Sequence, residues 1–171
     1  MNIPNILTLL RIIMIPIFYV VFFSDITNSS LFAALIFIVA SLTDWFDGFL
    51  ARKWSLVTNF GKIMDPLADK LLVMTALVCL LTSFRIPAWA VIVILAREMA
   101  ITGLRIIAAS EGVVVAADML GKFKTVFQMV AIILLLLNNF IGIYMLYIAI
   151  FFTILSGIDY IIKMNRVIKW F

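Results

Sequence analysis

The chain has 171 residues, of which 66% are hydrophobic and 13% are charged, and its net charge is +4. Soluble domains carry about 25% charged residues, so this composition excludes an ordinary soluble core as well as disorder, and it indicates a membrane protein. A sequence with no His and only one Cys, Cys79, also excludes Ser-His-Asp and Cys-His nucleophile systems and an internal disulfide.

Short polar breaks separate six apolar stretches. Each stretch is close to the length of a transmembrane helix, about 20 residues. They cover residues 5–23, 31–51, 61–84, 87–109, 122–139 and 141–162. No repeat, low-complexity linker or strand-like alternation divides the chain. We therefore predict an all-α integral membrane protein with six transmembrane helices, in a single domain over residues 1–171.

The first stretch has no basic region before its apolar run and no small-residue cleavage pattern after Phe23. We therefore expect a retained membrane helix rather than a cleaved signal peptide, and Pro4 suits its first turn. Arg11 is a charge inside this apolar run. It would either extend toward lipid phosphate or serve a site, and the sequence leaves both interpretations open.

The basic residues of the short loops and termini set the orientation. One side of the membrane would carry nine of them, and the other side would carry only Arg85. The nine are Arg52, Lys53, Lys62, Arg105, Lys122, Lys124, Lys163, Arg166 and Lys169. Because basic residues favour the cytoplasmic side, we predict that both termini and the loops at 52–62 and 105–124 are cytoplasmic.

Four of the nine acidic residues lie within 26 residues, at the ends of the second and third stretches. Asp44 and Asp47 are three residues apart, so they occupy one face of a helix. Asp65 and Asp69 are four residues apart, so they also occupy one face of a helix. Antiparallel neighbouring helices would bring the two pairs together near the cytoplasmic surface.

Four carboxylates in one place repel one another unless a cation lies between them. An all-oxygen ligand set suits Mg²⁺, Mn²⁺ or Ca²⁺, and four such ligands can hold two ions around a phosphoryl group. The alternative is an interhelical salt-bridge cluster with nearby basic residues. These are Arg52, Lys53, Lys62 and Lys70.

The residues between the two pairs favour a phosphate-bearing ligand. Gly48 lies one turn after Asp44 and leaves a gap on that face, and Arg52 follows one turn later, where it could bind a phosphate as a fork. Gly61 lies one turn before Asp65 and would also allow close approach.

This spacing resembles the signature of the CDP-alcohol phosphatidyltransferases. All eight signature positions match, in the segments Asp44-Trp-Phe-Asp47-Gly48-Phe-Leu-Ala51-Arg52 and Gly61-Lys-Ile-Met-Asp65-Pro-Leu-Ala-Asp69, which eight residues separate. The resemblance covers essentially the whole chain, since that family also has six membrane helices and cytoplasmic termini.

The resemblance implies that the four aspartates bind two divalent cations, Mg²⁺ or Mn²⁺, and that Asp69 is also the general base that deprotonates an acceptor hydroxyl. It implies CDP-diacylglycerol as the donor and CMP as the leaving group. The residues expected at the donor are Gly48, Ala51, Arg52, Thr58 and Gly61. It further implies a homodimer in a bacterial inner membrane, with membrane lipids around it, an active site facing the cytoplasm and no nucleic-acid partner.

The fourth stretch contains three charged residues, Arg97, Glu98 and Arg105. If its helix begins at Pro87, Arg97 lies about 15 Å along it, near the middle of the bilayer, which implies a polar cavity. The alternative is a salt bridge of Arg97 or Arg105 with Glu98 or with a neighbouring helix.

Lys122 and Lys124 open the fifth stretch, where they would serve either a site or an ordinary membrane-surface anchor. With Arg97 and Arg105 they would form a cationic cluster suited to an acceptor that is itself a phosphate ester. All these segments resemble the phosphatidylglycerophosphate synthases within the family, which use sn-glycerol 3-phosphate.

The N-terminal segment carries the same resemblance, and it implies that Asn5 and Thr8 point toward the nucleotide. We therefore predict transfer of the phosphatidyl group of CDP-diacylglycerol to sn-glycerol 3-phosphate. The alternatives are the same chemistry with phosphatidylglycerol or inositol phosphate as acceptor, or a cation transporter that uses the aspartate cluster.

Overall fold

A computed structural model describes the backbone of residues 3–53, 59–83, 85–110 and 119–168. It describes the side chains of residues 6–43, 64, 67–83, 85–110 and 119–165. Within these residues the chain forms six helices and no strand, which confirms the predicted all-α architecture for this part of the chain. The helices are α1 (Ile3–Phe22), α2 (Ser29–Lys53), α3 (Asn59–Thr82), α4 (Ala88–Ser110), α5 (Met119–Leu136) and α6 (Ile141–Ile168).

The helices extend past several of the apolar stretches, because the helical backbone continues into polar residues. The clearest case is α6, which continues to Ile168, six residues beyond the predicted end. Its polar last turns include an ion pair between Lys163 Nζ and Asp159 Oδ2 at 2.7 Å. That pair has the i,i+4 spacing that stabilises helices.

The helices belong to two compact units. In the first, α2 and α3 both pack on α1. Phe18 of α1 lies against Phe37 of α2, with ring centroids 6.2 Å apart. The alanines around this contact on α2, Ala33, Ala34 and Ala40, are fully buried. Small residues at a helix interface allow the backbones to approach closely, so the two helices pack closely along this face. Cys79 of α3 is buried and unbridged.

The second unit contains α4, most of α5, and α6. Near the C-terminal end of α4, Ile101 and Ala108 pack with Tyr160 and Met164 of α6. At the other contact, Phe127 of α5 stacks on Phe152 of α6, with centroids 5.4 Å apart and planes 4° from parallel. Before α4, Arg85 Nη1 donates a hydrogen bond to the carbonyl of Leu135 at 3.1 Å, and this satisfies a carbonyl near the end of α5.

Two helices are long and apolar enough, among the described residues, to cross a membrane: Met119–Leu136 and Ile141–Asn165. Shorter apolar stretches occur at Ile6–Phe22 and Ser29–Thr43. The outer face of α1 is a continuous exposed stripe at helical spacing. It consists of Ile6, Leu10, Ile13, Ile17 and Val20. A comparable stripe follows α6: Tyr144, Tyr147, Phe151, Ile154, Ile158 and Ile161. Exposed apolar stripes of this length suit contact with lipid.

The connection between α5 and α6 is short and closely packed. Asn138 has a φ of 58°, in the left-handed region that Asn tolerates better than most residues. Two residues into α6, a Cβ added to Gly142 would lie 2.7 Å from Cγ and 2.8 Å from the backbone nitrogen of Leu135. Because a backbone atom cannot move aside as a side-chain end can, this position requires glycine.

We predict that Gly142→Ala destabilises the protein by about 1–3 kcal/mol, since the methyl group must push α6 away from α5. Gly103→Ala is the matched control, because a Cβ there has nothing within 4 Å among the described residues. Alanine in the middle of α4 should be neutral or stabilise the helix by about 0.5–1 kcal/mol. Thermal unfolding of the purified variants in detergent measures both effects, and equal midpoints for the two variants would contradict the prediction.

Candidate functional site

The two aspartate pairs lie on two helices of the same unit. Asp44 and Asp47 lie within α2, and Asp65 and Asp69 lie within α3. Each pair is separated by about one turn of continuous helical backbone, as predicted from the spacing. The side chains of Asp44, Asp47 and Asp65 lie outside the described residues, and that of Asp69 is half-buried.

The chemistry of this donor set fits a divalent cation. Carboxylate oxygens are the ligands that Mg²⁺ and Mn²⁺ prefer. Each of two packed helices carries two aspartates about one turn apart. Among the side chains that the structure describes, no group of three or more acidic, His or Cys residues gathers elsewhere. The four aspartates therefore remain the predicted metal ligands.

The residues predicted to contact the CDP moiety are only partly described. Gly48, Ala51 and Arg52 lie on the last turns of α2 and Gly61 on the first turn of α3, but their surroundings fall outside the described side chains. Thr58 lies outside the described residues altogether. Asn5 is placed by its backbone in the first turn of α1.

Thr8 and Arg11 are fully buried on one face of α1. The Nε atom of Arg11 donates a hydrogen bond to the carbonyl of Ala40 in α2, with a nitrogen-oxygen distance of 3.3 Å. A side chain with no exposed surface cannot extend to lipid phosphate, so the snorkelling interpretation of Arg11 is wrong.

Three helices of the second unit meet at Arg97 and its neighbour Glu98 on α4. Its Nη1 atom donates to Glu98 Oε1 at 3.0 Å, and its Nη2 atom donates to the hydroxyl of Ser156 on α6, also at 3.0 Å. Lys124 Nζ of α5 forms a further ion pair with the same Glu98 oxygen. The side chains of Arg97 and Glu98 are each 17% exposed and that of Lys124 is 7% exposed. The structure thus connects two of the four predicted acceptor cations through one carboxylate.

The other two predicted acceptor residues differ in environment. Arg105 and Lys122 are both exposed. The guanidinium carbon of Arg105 lies 5.6 Å from the ring centroid of Tyr160, within the range of a cation–π interaction. The predicted cluster therefore contains a mostly buried, ion-paired half and an exposed half.

The buried half also contains polar atoms with no hydrogen-bond partner among the described residues. They are Nε of Arg97 and Oε1 of Gln128, and Gln128 is only 3% exposed. Gln128 lies one turn after Lys124 on α5, so both belong to one face of that helix. Buried polar atoms without a partner are uncommon and are expected where a ligand or water binds.

Sequence reasoning missed Ser156 and Tyr160. Ser156 is one hydroxyl in an apolar helix, 59 residues from Arg97, and Tyr160 has the ordinary pattern of a core aromatic. A possible signal was their spacing of four residues, which places a hydroxyl and an aromatic ring on one face of α6.

Comparison with known proteins gives the family. The model of the CDP-alcohol phosphatidyltransferase family matches residues 1–155. A protein of Bacillus subtilis (strain 168), named CDP-diacylglycerol--glycerol-3-phosphate 3-phosphatidyltransferase, is 46% identical over 98% of this chain and 97% of its own length.

Two other relatives have the same name. The protein of Shigella flexneri serotype 5b (strain 8401) is 44% identical over 94% of this chain and 93% of its own length. The protein of Rickettsia typhi (strain ATCC VR-144 / Wilmington) is 40% identical over 93% of this chain and 94% of its own length. The resemblance inferred from the eight signature positions is confirmed: the chain belongs to the CDP-alcohol phosphatidyltransferase family.

Proposed function

We propose that this enzyme transfers the phosphatidyl group of CDP-diacylglycerol to sn-glycerol 3-phosphate, giving phosphatidylglycerophosphate and CMP. The observation that carries the proposal is identity of 40–46% over nearly the full chain with relatives named for this reaction. The basic residues on α4 and α5 add independent support, since an acceptor that carries a phosphate needs cations and a neutral alcohol does not.

The enzyme is proposed to span the membrane six times, with both termini and the active site on the cytoplasmic side of a bacterial inner membrane. The nine-to-one distribution of basic residues supports this orientation, and the exposed apolar stripes on α1 and α6 support lipid contact. A homodimer remains an expectation from the family.

Asp44, Asp47, Asp65 and Asp69 are proposed to hold two divalent cations, Mg²⁺ or Mn²⁺. Cations bound there would neutralise the pyrophosphate and make CMP a better leaving group. The residues proposed to bind and orient CDP-diacylglycerol are Asn5, Thr8, Gly48, Ala51, Arg52, Thr58 and Gly61.

Asp69 is proposed to accept the proton of the acceptor hydroxyl as that oxygen attacks the β-phosphorus. The new bond forms between the hydroxyl oxygen and phosphorus, while the bond from phosphorus to the CMP oxygen breaks. The half-buried position of Asp69 supports this role, because a carboxylate that keeps some access to solvent can take up and release a proton.

The acceptor phosphate is proposed to bind at Arg105 and Lys122, with Arg97 and Lys124 behind them. The exposed pair can reorient toward a ligand. Arg97 and Lys124 already share Glu98 as an ion-pair partner. They are therefore proposed to contribute a fixed positive charge to the site. The unpartnered Gln128 Oε1 supports a polar ligand in the same unit.

The test of the proposal is CMP release by the purified protein with CDP-diacylglycerol, Mg²⁺ or Mn²⁺, and a panel of acceptors. We expect release with sn-glycerol 3-phosphate and little with phosphatidylglycerol, inositol phosphate or serine. Release only with another acceptor would overturn the proposed acceptor but keep the chemistry. No release with any acceptor would overturn the enzyme activity, and metal-dependent ion flux into vesicles would then favour a transporter.

Asp69→Asn should lower kcat by about 10²–10⁴-fold, the usual contribution of a general base, while nucleotide binding persists in part. Asp159→Asn is the control, because it makes the same atomic change in an acid that pairs with Lys163 on α6. Steady-state CMP release and CMP binding by calorimetry separate the two effects. Equal activity of the two variants would show that Asp69 is not the base.

Arg105→Ala should raise KM for sn-glycerol 3-phosphate by about 10–100-fold, since a hydrogen bond to a charged group contributes about 1.5–3 kcal/mol. KM for CDP-diacylglycerol should change little. Lys163 is predicted to lie on the same side of the membrane as Arg105. Lys163→Ala removes this cation and should leave the KM values for both substrates unchanged. An equal loss for both substrates in Arg105→Ala would contradict the assignment of this residue to the acceptor.

A further inference from the structure

Arg11 is a charged side chain enclosed by apolar helices, and the proposed chemistry does not use it. It has no exposed surface, and it lies on the face of α1 that also contains Thr8 and Phe18. Phe18 packs against Phe37 of α2. Two turns earlier on α1, Arg11 donates a hydrogen bond to the carbonyl of Ala40, which lies about one turn after Phe37 on α2. The α1–α2 interface thus changes from aromatic to polar in the direction in which α2 continues to Asp44.

The carbonyl that Arg11 contacts has a special place in α2. In a continuous α-helix the carbonyl of Ala40 is the acceptor for the peptide N–H of residue 44. The hydroxyl of Thr43 also donates to this carbonyl, at 2.7 Å. Side-chain donors to a helical carbonyl compete with the backbone bond and bend a helix locally. The carbonyl in the turn that leads into Asp44 therefore accepts from a side chain of another helix as well as from Thr43.

We propose that Arg11 is a positioning residue for the metal-binding end of α2. By holding the carbonyl of Ala40, it fixes the direction in which α2 leaves α1, and so the place of Asp44 and Asp47. The proposal rests on the proposed metal role of the aspartates. It assigns to Arg11 no contact with substrate.

Positioning and simple charge have opposite effects on metal binding. If Arg11 sets the geometry of the ligands, its loss weakens binding, since removal of groups that orient metal ligands costs about 10–100-fold in affinity. If Arg11 acts only as a positive charge near the carboxylates, its loss removes a repulsion, and cations bind more tightly. The direction of the change therefore identifies the role.

The experiment compares Mn²⁺ binding to the purified full-length protein without substrate, measured from the electron paramagnetic resonance signal of free Mn²⁺. Arg11→Met removes both the charge and the donor, and we expect binding at least tenfold weaker. Arg11→Gln removes the charge but keeps an N–H donor as many bonds from Cα as Nε of Arg, and we expect affinity within threefold of wild type. Arg85→Met is the control, because Arg85 also donates to a helical carbonyl but lies in the segment before α4.

Wild-type or tighter Mn²⁺ binding by Arg11→Met would overturn the proposal, as would an equal loss in Arg85→Met. If Arg11→Met does not fold, Arg11→Gln decides: affinity within threefold of wild type supports the proposal, and binding that is tighter or weaker than this range overturns it. If the wild-type protein itself binds no Mn²⁺, the metal role of the aspartates fails and this proposal fails with it. With Mn²⁺ saturating, kcat in Arg11→Met should recover, whereas a residue that contacts substrate would not allow this.

Discussion

A charge inside an apolar helix must find its partners within the protein, because hydrocarbon offers none. Arg11 is bonded to the backbone of α2, and Arg97 and Lys124 share Glu98. The contacts of Arg11 with Ala40 and of Lys124 with Glu98 each join two different helices at one defined point. Hydrogen bonds and ion pairs are directional, so these polar contacts contribute, with the apolar packing, to how the helices of each unit are placed.

The carboxylate of Glu98 lies inside a cluster that is proposed to bind an anion. Two buried cations without a partner would repel each other and lose their hydration, at a cost of several kcal/mol per ion. Glu98 cancels one of the two charges and Ser156 holds the guanidinium of Arg97 in place. Arg97, Lys124 and Glu98 together thus keep one net positive charge, and the exposed Arg105 and Lys122 are the residues proposed to contact the ligand.

Much of this organisation follows from the sequence. Apolar runs predict the positions of the helices, and the spacing of the aspartates places each pair on one face of its helix. The eight signature positions indicate the family. The ends of the helices do not follow, because backbone hydrogen bonding continues through polar residues such as Lys163. The pairing of Arg97 with Glu98 remained an alternative, since neighbouring residues on a helix do not normally face each other.

The contacts with Ser156 and Ala40 could not be predicted for a different reason. A serine in an apolar helix has no distinctive pattern, and a backbone carbonyl is present at every residue. Only the tertiary structure selects one of them as a partner. The same limit applies to Gln128, whose burial depends on neighbours from other helices.

If Arg105 and Lys122 bind the acceptor phosphate as proposed, their exposure has a consequence for turnover. The phosphate of the acceptor is the same group before and after transfer, because the new bond forms at its hydroxyl end. Cations that hold this phosphate bind substrate and product equally, so they lower KM without lowering the barrier. A cage of buried cations would also retain the product. Hydrated side chains at the surface would hold the phosphate loosely enough for the product to leave, which would limit product inhibition.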